Sequence, residues 1–72
     1  MEIIESVKSL GGVIRAERKR QNLTQAELAG LSGVGITYLC NLENGKETAE
    51  LGKAIDVLAM LGIDLFAKRR GV

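Results

Sequence analysis

Seventy-two residues leave room for one small domain with one core, because a chain this short cannot be divided into two self-supporting units. An apolar fraction of 46% beside 26% charged residues belongs to a chain that folds and stays soluble, far from compositions that remain disordered. With no His, no Trp and one Cys, most catalytic and metal-holding constellations lack their parts, so neither an enzyme nor a metal or other cofactor is expected. Cys40 has no disulfide partner within the chain, which suits a reducing compartment. The opening residues Met1 to Glu5 have no basic start and no apolar stretch of a secretory signal. The longest apolar run, Val57 to Ile63, is far short of the roughly 18 residues of a membrane span, so a cytoplasmic location is expected. The net charge of +1 is unevenly spread, with Arg15, Arg18, Lys19 and Arg20 in one cluster and Lys68, Arg69 and Arg70 in another.

Val7, Leu10, Val13 and Ile14 recur at helical spacing and predict a first helix over about Ser6 to Asn22. Gly11 and Gly12 interrupt it; either a neighbouring backbone comes close there or the first turn frays, and close packing is the preferred reading. Leu23 follows as a buried connector. Thr24-Gln25-Ala26-Glu27 has the pattern of a capping box and starts a second, short helix. That helix carries Ala26, Leu28, Ala29 and Leu31 and ends at Ser32-Gly33.

Val34 then acts as a buried hinge, and Gly35 caps a third helix over Ile36 to Glu43. Its inner face is Leu39 and Leu42; Ile36, Thr37, Cys40, Asn41 and Asn44 point outward, and an exposed Ile and Thr at a helix start suggest a contact surface. Asn44-Gly45 stops this helix, and Thr48 is expected to cap a fourth, running to about Leu61 with Leu51, Ala54, Ile55, Leu58, Ala59 and Leu61 on its apolar face. Leu23, Leu28, Val34, Leu39, Leu42, Leu51, Ile55 and Leu58 are the expected core. After Gly62 the period changes to two, and Ile63 to Lys68 reads as one strand. Its partner is either the segment Glu2 to Glu5 or the same strand of a second copy across a twofold axis.

Two short helices joined by a tight glycine turn, the second exposing small groups, are the parts of a helix-turn-helix. The run Ile14-Arg15, Asn22-Leu23-Thr24-Gln25-Ala26-Glu27-Leu28-Ala29, Ser32-Gly33-Val34, Leu39 and Leu42-Glu43-Asn44-Gly45-Lys46 resembles the five-helix phage-repressor and Cro (XRE-like) class of helix-turn-helix proteins. The continuation Leu51-Gly52-Lys53-Ala54 to Leu61-Gly62-Ile63-Asp64-Leu65 is similar to the HipB-like antitoxins, which carry that domain followed by a strand paired between subunits. The resemblance spans about Leu10 to Phe66.

It implies an all-α domain of about four helices with one C-terminal strand: a core over 10–62, a dimerisation strand over 63–68 (Ile63, Leu65 and Phe66) and a flexible basic tail over 69–72. It implies a homodimeric repressor that binds an inverted repeat in double-stranded DNA, associates with the bacterial nucleoid, autoregulates a toxin–antitoxin operon and binds a HipA-like kinase toxin. No membrane partner is implied. Ile36, Thr37, Cys40 and Asn41 match base-facing positions; Thr24, Gln25, Tyr38, Asn44 and Lys46 match phosphate contacts; Arg18 and Glu43 match an ion pair joining helix one to helix three. The toxin would meet the chain at Met1 to Glu5 and Lys68 to Val72, away from helix three. Helix three carries no Arg, Lys or Gln, so the bidentate guanine contact is missing from the expected base readout.

Other readings stand beside these. Thr24 to Glu27 would cap a helix in any protein, and Arg15, Lys19 and Arg20 read most simply as a solvated face, with contact to DNA phosphate as the competing role. Cys40 reads as a small contact residue, with redox sensing as the competing role. A stand-alone phage-type or restriction-control repressor is one alternative, and a protein-interaction module that has lost DNA binding is another. Gly45-Lys46 is no phosphate-binding loop, since Cys40 stands where its first glycine is needed and Glu47 where the hydroxyl belongs. Gly33-Val34-Gly35 lacks the third glycine of a dinucleotide fingerprint.

Overall fold

The computed structural model describes residues 2–71, among which four helices follow one another: α1 (Val7–Arg20), α2 (Gln25–Ser32), α3 (Ile36–Glu43) and α4 (Leu51–Leu61). Local chemistry sets the starts of the first two. The Ser6 hydroxyl accepts the Ser9 amide at 3.1 Å while the Ser9 hydroxyl accepts the Ser6 amide at 3.0 Å. Thr24 and Glu27 make the same reciprocal pair at 3.0 and 2.9 Å, satisfying amides that a helix start leaves free.

All four helices end in one way. A residue with positive φ (Asn22, Gly33, Gly45 or Gly62) follows the helix, and the next amide reaches back to the last turn: Leu23 to Arg18, Val34 to Ala29, Lys46 to Asn41 and Ile63 to Leu58, at 2.9–3.0 Å. At Gly33, φ is 71°, a left-handed conformation that costs glycine nothing and turns the chain sharply into α3. In three of these motifs the reaching residue, Leu23, Val34 or Ile63, is apolar and packs on the core. At α3 it is an exposed cation, Lys46.

Leu10 and Ile14 of α1, Leu28 and Ala29 of α2, Leu39 and Leu42 of α3, and Ala54, Val57, Leu58 and Leu61 of α4 form one buried cluster. α1 and α2 each pack on both α3 and α4. Gly11 is where α1 meets the end of α3, since a side chain there would run into the carbonyl oxygens of Leu42 and Glu43. Gly12 has open space around it, so the close approach belongs to Gly11 alone.

Four expectations need correction. α1 ends at Arg20, leaving Gln21 and Asn22 in the turn that leads to Leu23. Thr48 does not cap α4. The Ala49 amide bonds back to the Lys46 carbonyl at 3.1 Å, and this turn keeps Thr48 outside the helix, so Glu50 is the N-cap and α4 begins at Leu51. Leu51 and Ile55 are 62% and 46% exposed. They lie on the flank of the buried stripe formed by Ala54, Val57, Leu58 and Leu61, and no helix among the described residues buries that flank.

The expected strand over Ile63 to Lys68 is absent, and no strand occurs among the described residues. Ile63 is held against the core, but Leu65 and Phe66 are 47% and 80% exposed. The segment 2–5 is exposed too and does not pair with it. Strand backbone groups need a partner ladder, and the described residues of a single copy supply none. Met1 and Val72, at the ends of the segments expected to meet a toxin and to form the tail, lie outside the described residues.

Candidate nucleic-acid interface

The α2–turn–α3 unit presents the outer face of α3. Leu39 and Leu42 are fully buried beneath it, while Ile36 is 51% exposed and Thr37 is exposed beside it. Cys40 and Asn41, a turn later, are half-buried. These four side chains share one side of an eight-residue helix whose opposite side is locked into the core.

The far end of α3 is fixed by polar contacts. Arg18 Nε donates to Glu43 Oε2 at 2.7 Å and Nη2 to Oε1 at 3.0 Å, a two-pronged ion pair with both residues buried. The remaining guanidinium arm, Nη1, donates to the Leu23 carbonyl at 2.8 Å. Gln25 Nε2 adds a bond to Glu43 Oε1 at 3.2 Å. The bond to Glu43 raises the Arg18 pKa further above its ordinary value, against the opposing effect of burial, so the guanidinium stays charged. One cluster therefore ties α1, the connector, the first residue of α2 and the last of α3. Gln25 keeps its second amide hydrogen, and the exposed Thr24 stands beside it.

Thr24, Gln25, Cys40 and Asn44 border an open depression of about 520 Å3, and Arg15 of α1 reaches its rim. Asn44 Nδ2 lies 3.6 Å from Cys40 Sγ, and both side chains line this depression. Lys46 stands exposed at the end of α3.

Tyr38 is placed differently from a rim contact. Its hydroxyl donates to the Glu50 carbonyl at 2.6 Å, and the Lys53 ammonium sits 5.4 Å from the ring centre. Its only hydroxyl hydrogen is used inside the protein, tying α3 to the start of α4. Burial, with the Glu50 and Asp56 carboxylates, raises its pKa and keeps the phenol neutral.

One cation near this face is not singled out by sequence alone: Lys8, whose Cα lies 2.7 Å from where a side chain on Gly45 would begin, two helical turns before Arg15. Its spacing of seven residues from Arg15 is the signal that could have found it. Among the described residues no group of His, Cys, Asp or Glu is placed to hold a metal ion, and no helix is long and apolar enough to cross a membrane.

Comparison with known proteins agrees with this geometry. The chain is 47% identical over 66 residues to the uncharacterized HTH-type transcriptional regulator y4mF of Sinorhizobium fredii (strain NBRC 101917 / NGR234), covering 89% of this chain and 87% of that protein. It is 33% identical over 58 residues to the ImmF control region 10 kDa protein of Bacillus phage phi105, covering 81% of this chain and 64% of that protein. Among solved structures, its fold superposes with a TM-score of 0.87 on a chain of the HipB-O4 20mer complex, at 23% identity over 97% of this chain and 99% of that one. A chain of the HipA-HipB-O2-O3 complex gives a TM-score of 0.88 at 23% identity, with the same coverage of both chains. A family model described as helix-turn-helix matches residues 14–67, and the chain accordingly belongs to the XRE-like helix-turn-helix family.

Proposed function

We propose that this protein is a sequence-specific DNA-binding repressor that reads the major groove with α3. The observation that carries this reading is the outer face of α3, where Ile36, Thr37, Cys40 and Asn41 stand together on a helix braced from behind by Leu39 and Leu42 and fixed at its end by Arg18 and Glu43. Asn41 is suited to adenine N6 and N7, and Ile36 and the Thr37 methyl to thymine methyl groups. Thr24, Gln25, Asn44 and Lys46 ring that face with donors for phosphate oxygens. Tyr38 serves as a brace for the loop after α3 in this reading, because its hydroxyl is engaged by Glu50.

The chain acts as a homodimer on an inverted repeat. Its core over 10–62 carries α3, and the segment 63–68 becomes a strand only when paired with its copy. Support comes from Leu65 and Phe66, which a single chain leaves exposed, and from the need of a strand for a partner. Dimers of this class place two recognition helices about one helical turn of DNA apart.

The biological role that fits is that of an antitoxin: it represses its own toxin–antitoxin operon and binds a HipA-like kinase through the segments 2–5 and 68–71. The likeness to a chain of the HipA-HipB-O2-O3 complex supports this, as does the exposure of Ile3 at 79%. The similarity to a phage control-region protein favours a second reading, a stand-alone phage-type repressor without a toxin. Purification of the chain co-expressed with its neighbouring gene product separates the two, since only the antitoxin copurifies with a kinase-like partner.

Binding of duplex DNA, followed as a function of salt, tests the main reading. Lys46→Ala is expected to weaken binding to all sequences and to lower the slope of log affinity against log salt by about 0.9. Salt-independent binding would instead assign α3 to a protein surface.

A further inference from the structure

Lys8, Gly12, Arg15 and Lys19 follow one another along α1 at spacings of four, three and four, so they lie on one line about 16 Å long. All four are exposed. Between Lys8 and Lys19 the only acid is Glu17, which points to another side of the helix and is held by Arg20. Among the described residues, none of the three cations is in an ion pair.

The line runs beside α3. Its Lys8 end packs on Gly45, next to Lys46 and Asn44. In the middle, Arg15 borders the depression shared with Cys40 and Asn44 of the recognition-helix side and with Thr24 and Gln25 of α2. Arg18, the other cation at that depression, is neutralised by Glu43, which leaves Arg15 as the cation there without a counter-ion. Gly12, between Lys8 and Arg15, carries no side chain, so the surface between the two charges is low.

We infer that this edge of α1 is a second contact surface for the duplex: Lys8 and Arg15 each neutralise a phosphate of the backbone bordering the groove that α3 enters, and Lys19 extends the same track. The inference rests on the DNA-binding reading above and adds a surface outside the helix-turn-helix unit. It assigns these residues to positioning and affinity, with no part in base choice.

The test uses the double variant Lys8→Gln/Arg15→Gln, which keeps most of each aliphatic stem, measured by fluorescence anisotropy on a duplex that the wild type binds, at roughly 0.05 to 0.3 M salt. Because two phosphates are then no longer neutralised, the slope of log affinity against log salt is expected to fall by about 1.8, and affinity at 0.1 M salt by tenfold or more, with base preference unchanged. Arg15→Gln alone leaves the Lys8–Gly45 packing intact and gives about half the change in slope. Arg20→Gln, whose guanidinium is occupied by Glu17, leaves the slope as it is. A double variant with the wild-type slope, when the wild type itself binds with steep salt dependence, overturns the α1 surface and leaves the α3 reading standing. A wild type without salt-dependent binding overturns both.

Discussion

Arg18 in α1 and Glu43 at the end of α3, 25 residues apart in sequence, meet through two N–H···O bonds of 2.7 and 3.0 Å in a buried site. This pair sets where α3 ends relative to the rest of the domain. Removing one partner leaves the other charge buried without compensation, so Arg18→Ala or Glu43→Ala is expected to lower stability by about 3–5 kcal/mol in denaturant unfolding. The joint replacement Arg18→Met/Glu43→Leu is expected to recover most of that loss. Single variants within about 1 kcal/mol of wild type would mean that water reaches the pair.

Gly11 and Gly12 are neighbours with opposite expectations. A methyl group at Gly11 meets two carbonyl oxygens of α3, so Gly11→Ala is expected to cost about 1–3 kcal/mol and to lower the thermal midpoint by roughly 5 °C or more. Gly12→Ala meets nothing and gains helix propensity, about 0.5–1 kcal/mol of stabilisation. Thermal melts of the two variants check this; equal midpoints would place the α1–α3 contact elsewhere.

The difference between those two glycines marks the limit of what sequence can tell. The doublet announces a close approach or a weak turn, but which residue faces α3 depends on how α1 is rotated about its axis, a tertiary property. Where local chemistry decides, sequence and structure agree: Thr24 and Glu27 start α2, Gly33 ends it, and α3 runs from Ile36 to Glu43. They part where a distant group intervenes. Thr48 looks like a cap, yet the turn back to Lys46 and the tie from Tyr38 to the Glu50 carbonyl move the helix start to Leu51. Leu51 and Ile55 look like core, yet they stay 62% and 46% exposed. Ile63 to Lys68 alternates as a strand does, but alternation cannot supply the second strand. Arg15 is legible as a charge, whereas its position at the rim beside Cys40 and Asn44 needs the packing of α1 against α3.

Asn41 and Lys46 are expected to differ in kind. Asn41→Ala should change which base is preferred within a half-site, with a penalty of about 1–3 kcal/mol for the original sequence, while Lys46→Ala keeps the preference. Competition among single-base variants of a bound duplex measures both. A uniform loss in Asn41→Ala would make Asn41 a backbone contact.

Acid should weaken the helix starts and ends that carboxylates serve. Arg20, then Gln21, hydrogen-bond Glu17 and lower its pKa from 4.5 to about 2, and the Thr24 amide and hydroxyl lower that of Glu27. A lowered folded-state pKa stabilises above the ordinary value, and that stabilisation disappears as pH falls through the lowered one. The thermal midpoint is therefore expected to hold from pH 7 to about 5 and to decline from about 4.5 towards 2. Both groups are exposed, so the effect is modest, and Glu17→Gln/Glu27→Gln should flatten part of the decline. An unchanged acid slope in the double variant would assign the decline to other carboxylates.

In the proposed dimer, joined through the segment 63–68, Leu65 is the most sensitive position. Leu65→Lys is expected to sediment as a monomer while keeping its helical circular dichroism. A variant that stays dimeric would move the interface to another surface, with the uncovered Leu51 and Ile55 flank of α4 as the next place to probe.

The most direct test of the central claim, that the outer face of α3 reads DNA sequence, is selection of the purified protein against random duplexes at two salt concentrations, with sequencing of what is retained. Enrichment of an inverted repeat whose half-sites lie about ten base pairs apart is expected, more sharply at the higher salt. A folded protein that enriches no sequence at either salt would contradict that claim.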